Sequence, residues 1–401
     1  MATDLTSAVR PVEAAAVMGL FPSRPRVLAL GEPTHGEDLL LDVRNDLFRQ
    51  LVEQEGYRTV AIESDCLMAL TVDDHVTSGT GTLDEVMERG FSHGFGASAA
   101  NRALVRWMRA HNEDRPASEH VRFAGLDGPL EITGAASPRQ ALTALHDHLS
   151  ARLDPDLLPC TADTLDRLIG TDERWTEPAA MTDPTRSIGR SPEAAQLRLL
   201  ADDLVALLDA RTPHLMATGT PDEWYRARLY GRTAVGLLRY HHWMADPTPR
   251  RMARLLSQRA QLMAENLLAL ADRGPVLVHA HNAHLQRHLS TMRMWDQPLV
   301  EWWSAGAIVS SRLGEEYAFL ATALGTLRRQ GVDTPPPDTV EGLLYALPEH
   351  PCVIDAPRLA TTLAPTPPAA RVSPYFGYAP LDPAHLADQN GIVFVGDVPQ
   401  T

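Results

Sequence analysis

The chain has 401 residues, 44% of them hydrophobic, and 51 acidic side chains against 36 basic ones give a formal charge of -15. That is enough apolar sequence for a real core, in one large domain or two ordinary ones, and the acidic balance excludes a protein that holds nucleic acid by charge alone. Every basic residue is Arg, so no lysine exists to form a Schiff base or a phosphate loop, which removes most pyridoxal enzymes and Walker-type nucleotide enzymes.

The first residues include Asp4 and Glu13 and no long apolar run, so a secretory signal is not expected. Residues 10–22 read as a short helix with Val12, Ala15, Ala16 and Leu20 on its apolar side. A buried strand follows over 26–30, broken by Gly31, and Glu32 and His35 then sit in a tight turn. A carboxylate three residues from an imidazole, at the carboxyl end of a buried strand, suits acid–base work. An amphipathic helix over 38–55 ends at Gly56, with a stripe of Leu40, Leu41, Leu47, Phe48, Leu51 and Val52. Arg44 falls inside that stripe, and a buried guanidinium keeps its charge, so the sequence asks for a carboxylate partner.

Residues 59–62 form a second strand that runs into Glu63, with Asp65 just beyond. Helices are expected over 66–77, 83–89 and 99–112, and a third strand, 121–124, leads to Asp127. Strands alternating with helices predict a mainly parallel α/β sheet core flanked by helices. From 137 to 272 strand signals vanish. Helices over 138–153, 161–170, 191–211, 221–246 and 251–273, with a Pro-, Thr- and Asp-rich loop at 171–190, predict a large all-helical insertion, a lid or cleft wall. Its 221–246 helix carries Trp224, Tyr225, Tyr230, Tyr240, His241, His242 and Trp243, better suited to helix packing than to a pocket wall.

The core is expected to span 1–136 and 273–401. In its second part a strand at 275–278 leads into His279, His281 and His284. Residues 296–312 read as helix, 316–322 as strand, 338–347 as helix, 351–354 and 391–395 as strands, with proline-rich connectors at 334–338 and 364–370. The three cysteines, Cys66, Cys160 and Cys352, are scattered, which fits reduced thiols in the cytoplasm rather than a disulfide framework. No apolar stretch is long enough to span a membrane.

Four strands thus end on ionisable groups: Glu32 and His35, Glu63, Asp127, and His281. In open α/β sheets those ends form the ligand crevice, and Arg44 reaches the same rim from the first long helix. His281 and His284, three apart, also have a spacing that suits a metal, with Glu32, Glu63 or His35 completing the ligands; the alternative is a metal-free site in which carboxylates orient and charge a histidine base.

Taken together, Gly31-Glu32-Pro33-Thr34-His35, the helix bearing Arg44, Val60-Ala61-Ile62-Glu63 and Ala280-His281-Asn282-Ala283-His284 resemble the erythromycin esterase family, as do Met263-Ala264-Glu265-Asn266 and Leu313-Gly314-Glu315-Glu316-Tyr317. The resemblance implies an α/β core under helices, a cleft for a macrolide, and hydrolysis of its lactone ester. It makes His35 the general base acting on water and places Glu32, Glu63, Arg44, His281 and His284 around it as the catalytic set. Asp127 and His279 are expected at the substrate. The resemblance imports no metal and no cofactor. The expected partner is a small molecule, an apolar polyketide or lactone, and neither nucleic acid nor membrane. The absence of a Gly-x-Ser-x-Gly elbow fits, since it disfavours an ordinary serine esterase.

Three positions depart from the family: Pro33 where a small residue is usual, His279 where Trp is frequent, and Ala260 after Arg259 where an acidic residue is common. They leave open a natural-product tailoring enzyme that uses the same base for cyclisation, elimination or lactonisation, and a binding protein on the same scaffold. An antibiotic-resistance esterase remains one member of the class.

Overall fold

The computed structural model describes residues 9–131, 134–293 and 299–399. In chain order it runs β1 (Val9–Pro11), α1 (Ala14–Met18), β2 (Val27–Glu32), α2 (Asp38–Gln54), β3 (Thr59–Asp65), α3 (Ala69–Ser78), α4 (Leu83–Arg89), α5 (Ala99–Asn112) and β4 (Arg122–Asp127), then the short pair β5 (Leu130–Glu131) and β6 (Gly134–Ala135). Six helices follow: α6 (Arg139–Ser150), α7 (Ala162–Ile169), α8 (Pro192–Ala210), α9 (Thr212–Thr218), α10 (Pro221–Met244) and α11 (Arg251–Ala271). The chain then returns to the sheet with β7 (Val276–His281), α12 (Asn282–Leu285), β8 (Leu289–Met292), β9 (Val300–Trp303), α13 (Ala305–Leu313), β10 (Tyr317–Thr326), α14 (Val340–Tyr345), β11 (Cys352–Asp355), α15 (Ala356–Leu363) and β12 (Gly391–Asp397).

Eight strands form one sheet in the order β1-β11-β12-β10-β2-β7-β3-β4. From β12 to β4 every neighbouring pair is parallel, and only β11 runs against the rest, pairing antiparallel with β12 on one side and with the edge strand β1 on the other. This is the mainly parallel α/β core expected from the alternation of elements. Each central strand is covered on both faces, so its residues alternate between two cores. Leu28, Leu30, Val60, Ile62 and Leu277 join the core under α2 and α5, with Leu47, Phe48, Leu51, Leu104 and Met108. Val27, Ala29, Ala61, Val276 and Val278 face the opposite core, with Met263 and Leu267 of α11 and with Val309 and Phe319. The helical segment builds a third core of its own around Leu142, Leu145, Leu165, Trp175, Leu197, Leu204 and Leu238. Among the described residues no helix is long and apolar enough to cross a membrane.

Several expected elements differ. The first helix is only Ala14–Met18, because residues 9–11 pair with β11, and it buries Ala14 and Val17 rather than the four residues named above. Where a helix was expected over 296–312, β9 pairs with β8 as a hairpin and α13 begins at Ala305; residues 296–298 lie outside the described residues. Helices α9 and α15 carry no expectation from the sequence. In α10, Tyr240 and His241 are buried in helix packing, while Trp224 and Trp243 lie under Arg228 and Arg254.

The topology does one thing for function. The parallel strands β2, β7 and β3 are adjacent, and in register Glu32 lies opposite His281 and Ile62 opposite His279. A register shift between Ile62 and Asp65 then frees Glu63 from the β3–β4 ladder. Gly31 lets this rim close up. A Cβ there would fall 2.0 Å from Oδ1 of Asn282, whose side chain is clamped between the backbone N–H and C=O of Thr322.

Candidate active site

At the carboxyl ends of β2, β7 and β3 the residues named from the sequence meet. The Glu32 carboxylate is 3% exposed, and its Oε1 lies 2.6 Å from Nδ1 of His35. Its Oε2 lies 3.3 Å from Nε2 of His279. Nδ1 of His279 is 3.0 Å from the Leu30 carbonyl. Glu63 is as deeply buried. Its Oε2 accepts from the His281 backbone N–H at 2.8 Å, and its Oε1 lies 3.1 Å from both Nη2 of Arg259 and Nε2 of His284. Nε2 of His35 is 3.8 Å from the same Oε1, beyond direct hydrogen-bond reach. His281 caps α12, with Nδ1 accepting from the Ala283 N–H at 3.3 Å, and its ring centre lies 5.4 Å from that of His35.

The electrostatics follow from that geometry. Burial pulls the His35 imidazole toward its neutral form, but the charges of Glu63 and Glu32 and the Glu32 hydrogen bond outweigh it and raise the pKa to about 9. Burial lowers His281, and the neighbouring His35 charge lowers it further, to about 4. Glu32 is raised by burial, yet His279 and His35 bring it down to about 2. Glu63 is likewise raised by burial, but the charges of His284, His35 and Arg259 hold it well below the usual carboxylate range. Two imidazoles whose centres lie 5.4 Å apart are therefore pushed in opposite directions, a pattern that separates proton donor from acceptor.

These groups open into a cavity of about 360 Å³ lined by Glu32, His35, Arg44, Ile62, Glu63 and Phe95, among others. Phe95 lies 5.6 Å, ring centre to ring centre, from His35. It belongs to a rim loop that the sequence reading passed over as a glycine-containing segment. That loop also carries His93, whose φ of 57° is the one positive value for a non-glycine among the described residues. His93 is held there by Ser92 Oγ at 2.6 Å from Nδ1 and Glu131 at 3.2 Å from Nε2. A backbone held in this region by two side-chain contacts marks a shaped rim.

Three expectations change. Arg44 is 1% exposed, as its place in the apolar stripe requires, but among the described residues no carboxylate pairs with it directly. Its Nε and Nη2 donate to Oδ1 of Asn45, and Nη2 also donates to Oδ1 of Asn101 at 2.8 Å. Burial lowers its pKa to about 10, with the Glu32 charge opposing. Two amide oxygens satisfy donors without cancelling the charge, so the cavity wall keeps a cation. Asp127, expected at the substrate, is fully buried. Its Oδ2 accepts from Nε and Nη2 of Arg259 at 2.8 and 2.6 Å, and its Oδ1 from the Gly128 N–H. His279, also expected at the substrate, does line the cavity, but it is 3% exposed and spends both ring nitrogens on Leu30 and Glu32.

The sequence reading missed Arg259. It is 7% exposed and bridges Asp127 and Glu63, so it ties the third strand end to the second through α11. The signal was present: Arg259 sits among Leu255, Leu256, Leu262 and Met263 on one helix face, as Arg44 does in α2.

Comparison with known proteins gives the fold partners. A Bacillus cereus protein of known crystal structure superposes with a TM-score of 0.71 at 17% identity, covering 100% of this chain and 98% of that one. A succinoglycan biosynthesis protein superposes at 0.65 with 16% identity, covering 98% and 96%. A histidine-to-asparagine variant of the erythromycin esterase EreC, in its open conformation, superposes at 0.65 with 16% identity, covering 92% and 90%. At these identities the likeness concerns the fold. No curated protein matches the chain in sequence. The erythromycin esterase sequence profile matches residues 52–382, most of the chain, so the protein belongs to the erythromycin esterase family.

Proposed function

We propose that this protein hydrolyses a carboxylic ester or lactone, with water activated by His35. One observation carries the reading: Nδ1 of His35 lies 2.6 Å from a buried carboxylate while the ring forms part of the wall of an open cavity. Glu32 accepts a hydrogen bond from Nδ1–H, which leaves Nε2 as the nitrogen that receives a proton. A water beside Nε2 and Glu63 loses that proton as its oxygen attacks the acyl carbon. The carbonyl electrons move to oxygen, and the uncancelled Arg44 cation faces the charge that develops. His35 returns the proton to the departing alkoxide, so the products are an acid and an alcohol. His281, held neutral, does not compete for the proton.

The two departures that favour a different reaction have structural uses. At position 33 the backbone carbonyl accepts from the Ala379 N–H at 2.8 Å, which ties the catalytic turn to the tail of the chain, while the proline ring itself fixes φ in that turn. The extra imidazole of His279 lines the cavity and turns its Nε2 to Glu32.

The substrate class we propose is an uncharged ester, with a lactone edge seated against Leu41, Ile62 and Phe95. The test is a mass-spectrometric screen of the purified protein against macrolides and smaller lactones. Opening of a ring appears as the gain of one water. Conversion of a ligand with unchanged mass (cyclisation of an isomer) or with loss of a small molecule (elimination or lactonisation) supports the tailoring reaction instead, and retention of unaltered ligand at one per chain supports a binding protein.

A further inference from the structure

The site contains a carboxylate with an imidazole on each oxygen. Glu32 Oε1 holds His35, and Oε2 faces His279. The arrangement is fixed by the sheet. Leu30 and His279 are register partners across β2 and β7, and the Leu30 carbonyl is 3.0 Å from Nδ1 of His279. A carbonyl oxygen only accepts, so Nδ1 carries the hydrogen. Nε2 then faces a carboxylate oxygen, and that contact is a hydrogen bond only if one proton lies between them. Whichever atom holds this proton, the two residues together carry no net charge.

We propose that His279 is a positioning residue: with Glu32 it forms a charge-neutral pair whose free oxygen keeps the hydrogen on Nδ1 of His35 and sets how readily Nε2 takes up another. This rests on the reading of His35 as the base. The groups that act on His35 directly are Glu32 from β2, Glu63 from β3, Arg259 from α11 and His281 from β7. Arg44 acts on Glu32 from α2, and Asp38 and His93 share the cavity. Among the described residues, His279 is the group that hydrogen-bonds the second oxygen of Glu32. Removing its imidazole leaves the Glu32 charge uncancelled beside His35. The protonated form of His35 is then favoured further, and the base is available only at higher pH.

The test uses the full chain with ¹⁵N-labelled histidine, titrated by NMR, in the parent and in His279→Gln and His279→Phe. Gln keeps an N–H toward Glu32 but carries no charge; Phe keeps neither. In His279→Gln the His35 midpoint rises by about one pH unit. With a turned-over ester in hand, kcat/KM at pH 7 falls about tenfold and the high-pH plateau is retained. In His279→Phe the midpoint moves the same way, and the plateau falls as well, because nothing then fixes the second oxygen of Glu32 and the carboxylate can turn away from the geometry that orients the His35 ring. An unmoved His35 midpoint in both variants, or a rate loss equal at every pH, overturns the proposal and leaves His279 a packing residue. The titration needs no substrate, so a chain that opens no ester still decides it.

Discussion

Replacing His35 with asparagine should lower kcat/KM by about 10²–10⁴-fold, the share a positioned base contributes. Asparagine places an amide N–H where Nδ1 now stands, 2.6 Å from Glu32. The buried carboxylate therefore keeps a donor, and the turn keeps its shape. Nothing replaces the lone pair of Nε2. The loss should fall on kcat, with KM nearly unchanged, because the ring acts on water rather than holding substrate. Steady-state kinetics on the ester found in the screen, with a thermal melt of the variant, check it. A variant within threefold of the parent would assign the proton transfer elsewhere.

The second large effect concerns stability. Arg259→Met removes the cation that bridges Asp127 and Glu63, both almost inaccessible to solvent. Breaking a buried pair by deleting one partner typically costs about 3–5 kcal/mol, because the remaining charge stays desolvated. Urea unfolding at pH 7 should show a loss of that order. Its pH dependence has a defined sign. In the parent, Glu63 titrates well below its ordinary value, so its stabilisation is present above that value and is lost as pH falls. In the variant the Asp127 carboxylate stays buried without its guanidinium, so acidification relieves that charge and the deficit shrinks at lower pH, while Glu63 keeps His284, His35 and the His281 N–H. A loss below about 1 kcal/mol at pH 7 would mean that water or another donor already satisfies these acids. Activity should fall too, since Glu63 Oε1 also meets His284 and stands near His35.

How much of this was legible in the sequence varies with the kind of signal. Helices 83–89 and 99–112 matched residue for residue, because Thr82 and Ser98 cap them through side-chain bonds to the backbone N–H three residues on. The parallel strands read clearly because both faces are buried and their sequences are continuously apolar. The short β8–β9 hairpin did not. Val300–Trp303 is four residues long, and so short an apolar run does not distinguish a strand from the start of a helix. Strand β1 exists only because β11 offers it a partner, which no local pattern encodes.

At the site, the strand-end rule brought Glu32, His35, Glu63 and His281 to one rim, and the helix-stripe rule buried Arg44. The partners were not legible. That Arg44 rests on Asn45 and Asn101, and that Asp127 belongs to Arg259, depends on how α2, α5 and α11 sit on the sheet. Applying the rule that marked Arg44 to α11 would have marked Arg259 as well. The rim loop gave only its glycines away, and the unusual backbone of His93 is a tertiary product of Ser92 and Glu131.

The measurement that bears most directly on the catalytic account is the pH dependence of kcat/KM between pH 6 and 10. The base must be neutral to accept a proton from water, and His35 gives its proton up at about 9. The account predicts a rate that climbs about tenfold per pH unit from 6 to 8, then levels off with a midpoint near 9. A profile that is flat across that range would contradict it, and one that falls toward alkaline pH would identify protonated His35 as a donor instead.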